Sequence, residues 1–128
     1  MKITSQEQRT GKLVVRFNCS VGSGVALWSS TTKPVVGNEY DVEFNINETI
    51  EKNRNAFPAS DHRQYVNEGD SEIELNGMVE SMDEDGMAYF RLADDCLIMI
   101  ESETGSISVG EWLTLKYDVN DVDVCVQG

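Results

Sequence analysis

Tyr40-Asp41-Val42-Glu43-Phe44-Asn45-Ile46 is the stretch that decides the fold class. Its apolar and polar residues alternate strictly, so an extended chain places Tyr40, Val42, Phe44 and Ile46 on one face and Asp41, Glu43 and Asn45 on the other. That is a β-strand with one buried and one wet side. The same period of two recurs upstream over residues 12–19. There Leu13, Val15, Phe17 and Cys19 share a face, with Val14, Arg16 and Asn18 opposite. Gly22-Ser23-Gly24 punctuates the chain and makes Val25–Ser29 the predicted hairpin partner. Lys33-Pro34 and Gly37-Asn38 are turn signals.

Downstream, residues 47–70 break the pattern. They are polar and hold Lys52, Arg54, Pro58, Arg63 and the only histidine, His62. Asn47 is suited to cap a short helix running to about Asn55, with Glu48 and Lys52 as an i,i+4 pair. The rest of this segment reads as a long loop.

From residue 72 the strand period returns, as Ile73 and Leu75 alternate with Glu72 and Glu74. Gly77 marks an expected bulge or bend. Asp83-Glu84-Asp85-Gly86 is a hairpin turn leading into Met87–Leu92. Asp94-Asp95 turns into Cys96-Leu97-Ile98-Met99-Ile100, an apolar run expected to be a central strand. Gly105 and Gly110 bracket another connection. Glu111–Asp118 and Asp121–Val126 are the last two strands, with Val122, Val124 and Val126 inward. About eight short strands, turns every 8–12 residues and one short helix predict a mainly β domain spanning residues 1–128. Its expected form is a small antiparallel barrel of the OB type or a β-sandwich.

The chain has 128 residues and a formal net charge of −13. Residues 1–64 hold eight Lys/Arg against seven Asp/Glu, whereas residues 65–128 hold two against sixteen. Such a field repels nucleic acid and membranes and attracts basic surfaces. No apolar stretch is long enough to span a bilayer. The N-terminus lacks a signal peptide's apolar core, so a cytoplasmic location is expected. Cys19, Cys96 and Cys125 form no C-x-x-C pair and read as small buried hydrophobes.

No motif carries chemistry. Asp83-Glu84-Asp85-Gly86 lacks the twelfth-position Glu of a calcium loop, because Leu92 stands there. Asp118, Asp121 and Asp123 read as a solvated cluster. Asp61-His62 lacks a nucleophile. Gly22-Ser23-Gly24 is too short for a dinucleotide fingerprint. One His and three scattered Cys make no zinc set. The expectation is therefore no enzyme, no metal and no cofactor. Glu72, Glu74, Glu80, Asp83, Glu84, Asp85, Asp94, Asp95, Asp118, Asp121 and Asp123 form the candidate partner-binding set, with Tyr89 and Trp112 as aromatic anchors.

A small, acidic, β-rich chain without catalytic apparatus resembles the immunity proteins of bacterial toxin systems. These include the ones that protect against contact-dependent inhibition toxins and nuclease bacteriocins. The resemblance implies tight binding to a basic toxin domain, often a nuclease, whose active site is covered with carboxylates. Two other readings stand beside it. One is an accessory interaction module of a phage or mobile element. The other is an OB-type nucleic-acid binder using Lys12, Arg16, Lys52, Arg54 and Arg63.

Overall fold

The computed structural model describes residues 1–103 and 105–127. Eleven strands join in one sheet: β1 (Lys2–Arg9), β2 (Lys12–Cys19), β3 (Gly22–Trp28), β4 (Val42–Ile46), β5 (Ala56–Pro58), β6 (Tyr65–Glu68), β7 (Glu72–Met82), β8 (Met87–Ala93), β9 (Cys96–Glu101), β10 (Trp112–Asp118) and β11 (Val122–Val126). A single 3₁₀ turn, Val119–Asp121, separates the last two.

The sheet is mixed and branched. β3 pairs along one edge with β2; along the other it meets β6 at Gly22 and β11 at Leu27–Trp28, both in parallel. One arm continues β6–β7–β8–β9 and the other continues β11–β4. The arms enclose one main core holding Phe17, Ile73, Leu75, Phe90, Ile100, Leu113, Leu115 and Val124. Each such side chain contributes roughly 1.5–3 kcal/mol when fully buried. The arms approach again at β4 and β9. No ladder joins those two strands. Beyond β4, Ile50 alone bridges Ser102, its N–H donating 2.7 Å to the Glu101 carbonyl.

The expected small antiparallel barrel of the OB type is therefore not what forms, and the strands join in one sheet rather than the two of a sandwich. The sheet stays open between β4 and β9, two of its pairings are parallel, and it has eleven strands rather than eight. β1 lies outside the sequence expectation because only Ile3 in it is buried. It pairs with β2 through Thr10-Gly11, whose positive φ values of 47° and 79° suit a tight hairpin turn.

The helix expected from Asn47 is also absent. Asn55 is buried, and its Oδ1 accepts from Glu51 N–H at 2.8 Å while its Nδ2 donates to the Thr49 carbonyl at 2.9 Å. Asn53 takes φ +69°. These bonds fold 49–56 into a compact turn, since an Asn side chain competes with the helical ladder for backbone partners.

At Gly77 a Cβ would meet the Arg91 carbonyl and the Phe90 ring, so glycine lets β8 approach β7 closely. The expected irregularity falls two residues on, as a bulge between Val79 and Ser81.

Candidate partner-binding surface

The β8–β9 hairpin presents an outer face. Tyr89 stands opposite Met99, Arg91 opposite Leu97 and Met87 opposite Glu101. Their neighbours Phe90, Ile98 and Ile100 point into the core. Cys96–Ile100, expected to be a central strand, is not one: Leu97 is 41% exposed and Met99 53%. The reason is position, because β9 is laddered only to β8 and its outer face is left uncovered. Tyr89, Leu97 and Met99 thus form an apolar strip on the surface.

Carboxylates bound that strip at both ends. The β7–β8 turn holds Asp83, Glu84 and Asp85, and the β8–β9 turn holds Asp94 and Asp95, all exposed. Seven residues of β8 separate the turns by about 20 Å. Asp83 shapes its own turn, since its Oδ1 accepts from the N–H of Asp85 at 3.0 Å and of Met87 at 2.9 Å. Glu84, Asp85, Asp94 and Asp95 have no Lys or Arg ion-pair partner among the described residues.

Other candidate residues are engaged within the chain. Glu80 holds Arg91 through both oxygens at 3.2 and 3.0 Å. Glu74 accepts from the Tyr65 hydroxyl at 3.0 Å and pairs with Lys116 at 3.7 Å. Glu72 stands opposite Asp118, a like-charged cross-strand pair that costs stability. Asp118 caps the 3₁₀ turn by accepting from Asn120 N–H at 2.9 Å. Asp123 accepts from Asn45 Nδ2 at 2.9 Å and from the Ser29 hydroxyl at 3.2 Å. Burial, then nearby Glu48 and Asp118, raise the Asp121 carboxyl above its ordinary value. Asp118 ends β10, Asp121 lies in the 3₁₀ turn and Asp123 in β11. The acids of the two β8 turns thus flank one hairpin, whereas Asp118, Asp121 and Asp123 sit around the start of β11.

Trp112 is half-covered. The loop 59–64 runs from β5 to β6 across the outer faces of β10 and β7, and His62 stacks on Trp112 with centroids 5.2 Å apart. Asn76, 1% exposed, clamps the loop by donating to the carbonyls of Asp61 at 2.9 Å and Arg63 at 2.7 Å. Asp61 and Arg63 pair with each other at 3.2 Å, so the Asp61-His62 pair is part of a strap rather than an acid–base site.

Two concavities lie along the unclosed seam between β4 and β9. The larger, about 530 Å³, reaches the core between Val42, Phe44 and Cys96, with Glu39, Asp41 and Asp95 at its walls. Lys2 also lines it, so its charge is mixed. Burial, then the Asp95 carboxylate, pushes the Cys96 thiol up to about 11. The smaller, about 290 Å³, lies between residues 46–49 and the edge of the β8–β9 face.

The exposed Leu97 and Met99 and the N-terminal-half acids Glu39, Asp41 and Glu48 are not among the residues that the sequence pattern points to. Period two within residues 96–100 carries the signal for the first pair. No linear signal brings the acids beside β9. Among the described residues no group of three or more His, Cys, Asp or Glu is placed to hold a metal ion. Among them, too, no helix is long and apolar enough to cross a membrane. No known protein family, no curated protein and no solved structure matches this chain.

Proposed function

We propose that the protein is a non-catalytic cytosolic binding protein that neutralises a basic partner, a nuclease toxin domain, in the manner of an immunity protein. The observation that supports this most is the β8–β9 face: a surface strip of Tyr, Leu and Met with unpaired carboxylates at both ends. Protein interfaces favour aromatic and methionine side chains at the centre and polar groups at the rim. A nuclease presents cations that hold phosphates, and Glu84, Asp85, Asp94 and Asp95 would occupy them. The net charge of −13 steers such a partner in at a high rate.

The nucleic-acid reading is weakened by pairing. Arg16 is held by Glu68, Lys52 by Glu111, Arg54 by Glu48 and Arg63 by Asp61; of the five cations only Lys12 has no ion-pair partner among the described residues, which leaves little basic field for a phosphate backbone.

The test is capture from the source lysate by the wild-type protein and by the variant Glu84→Lys/Asp85→Lys/Asp94→Lys/Asp95→Lys. The captured protein is then assayed for nucleic-acid cleavage. A basic protein retained by wild type, lost by the variant, and inhibited in cleavage by the wild-type protein is expected. Equal retention by both, or no basic protein at low salt, would favour the accessory-module reading.

A further inference from the structure

We infer that the notch between residues 46–49 and the β8–β9 face is a socket for one arginine side chain of the partner. This rests on the binding reading above and adds to it the chemistry of one contact. Ile46, Met87 and Met99 supply apolar surface, and Glu48 and Glu101 supply carboxylates from different segments of the chain. The volume, about 290 Å³, is at the bottom of the range for small-molecule sites, about 300–1,000 Å³, and fits a side chain better than a metabolite.

Both charged residues of the lining are carboxylates; Arg54, outside the lining, holds Glu48, so among the described residues the unpaired charge is that of Glu101. No Lys or Arg lines the notch, in contrast to the larger groove with Lys2. Glu48 already shows what it accepts: it holds Arg54 Nη2 at 2.7 Å. Among the described residues no Lys or Arg pairs with Glu101, which is exposed on the same outer face as Met99. Guanidinium is the cation that suits this place. It is flat and weakly hydrated, so it tolerates contact with the methionine thioethers while its fork bonds a carboxylate. An ammonium keeps its hydration and gains less from that floor. The notch is continuous with the apolar strip through Met99, so an arginine seated there leaves its backbone over Tyr89 and Leu97.

The test uses the full chain with ¹³C-methyl-labelled methionine and two blocked peptides, Gly-Arg-Gly and its neutral isostere Gly-citrulline-Gly. Saturable shifts of the Met87 and Met99 methyl signals are expected with the arginine peptide, while those of Met78 and Met82 stay in place. Glu101→Gln is expected to weaken the response about threefold, the scale of one exposed ion pair. Glu80→Gln, whose carboxylate faces Arg91, is expected to leave it unchanged. Equal shifts with the citrulline peptide, shifts spread over all five methionines, or no effect of Glu101→Gln would overturn the socket. The outcome is separable from the reading it rests on. Retention of a basic partner that depends on the two turns, without a response here, removes the socket alone.

Discussion

Replacing Asn76 by alanine should release the strap over Trp112. The Asn76 side chain donates to the Asp61 and Arg63 carbonyls and accepts from the Thr114 hydroxyl. Alanine removes three hydrogen bonds at a position that is 1% exposed. Each is worth about 1 kcal/mol net. The two loop carbonyls recover water once the loop lifts, so the loss is about 2–3 kcal/mol rather than the full cost of stranded buried groups. For a chain of this size that lowers Tm by about 8–12 °C. The local effect is the sharper one. With about 2 kcal/mol less holding the loop, its open population rises about thirtyfold, and tryptic cleavage after the exposed Arg63 should rise in proportion. Trp112 fluorescence should change as His62 leaves the ring, while Trp28, whose Nε1–H donates to the Thr32 carbonyl at 2.7 Å, reports no change. The assays are thermal unfolding by circular dichroism and timed proteolysis read by mass spectrometry. A Tm within about 2 °C of wild type together with unchanged cleavage after Arg63 would refute the clamp. His62→Ala, which removes the stack and keeps the clamp, should leave the cleavage rate within about threefold.

Three further outcomes follow from named contacts. Cys96, with its thiol pushed up to about 11, is ionised only to about one part in a thousand at pH 8. Its alkylation in the native protein should be on the order of a hundredfold slower than in denaturant, and an equal rate by peptide mapping would contradict its burial. Asp121 has its carboxyl raised, so the folded state binds that proton more tightly than the unfolded chain. The penalty is present above the folded value and fades as pH falls below the ordinary aspartate range. Asp121→Asn should therefore stabilise by up to about 0.5 kcal/mol in urea at about pH 7 and by nothing near pH 3. Gly77→Ala should cost about 2–3 kcal/mol, because its Cβ has no space against the Arg91 carbonyl and Phe90. A stability equal to wild type would mean that β7 and β8 can separate there without loss.

The local pattern is sufficient for most of the strands. Period two places Val15 and Phe17, Ile73 and Leu75, and Val122 and Val124 in the core, because a strand buries alternate residues and the residue between each pair is charged (Arg16, Glu74, Asp123); Val14, on the other face of β2, is buried as well, in a second cluster with Val25 and Val119. Asp85-Gly86 and Asp94-Asp95 set both turns of the β7–β8–β9 meander by their own backbone preferences. The candidate anchor Tyr89 and the acids of those two turns are legible for the same reason: their surroundings are one hairpin. Other parts depend on residues distant in sequence. β1 is a strand because Ile3 and the β2 ladder hold it, though its own residues carry no strand pattern. Residues 49–56 are a turn because Asn55 bonds Thr49 and Glu51, and because Lys116 N–H donates to the Asn55 carbonyl. The acidic half of the chain is not an acidic half of the molecule: Arg16 reaches Glu68 and Lys52 reaches Glu111. Strand alternation and turn chemistry are local, and the sequence by itself determined them. The open seam, the strap on Trp112 and the choice of which carboxylates stay unpaired were decided only by tertiary structure, because each needs two segments brought together that the chain keeps tens of residues apart.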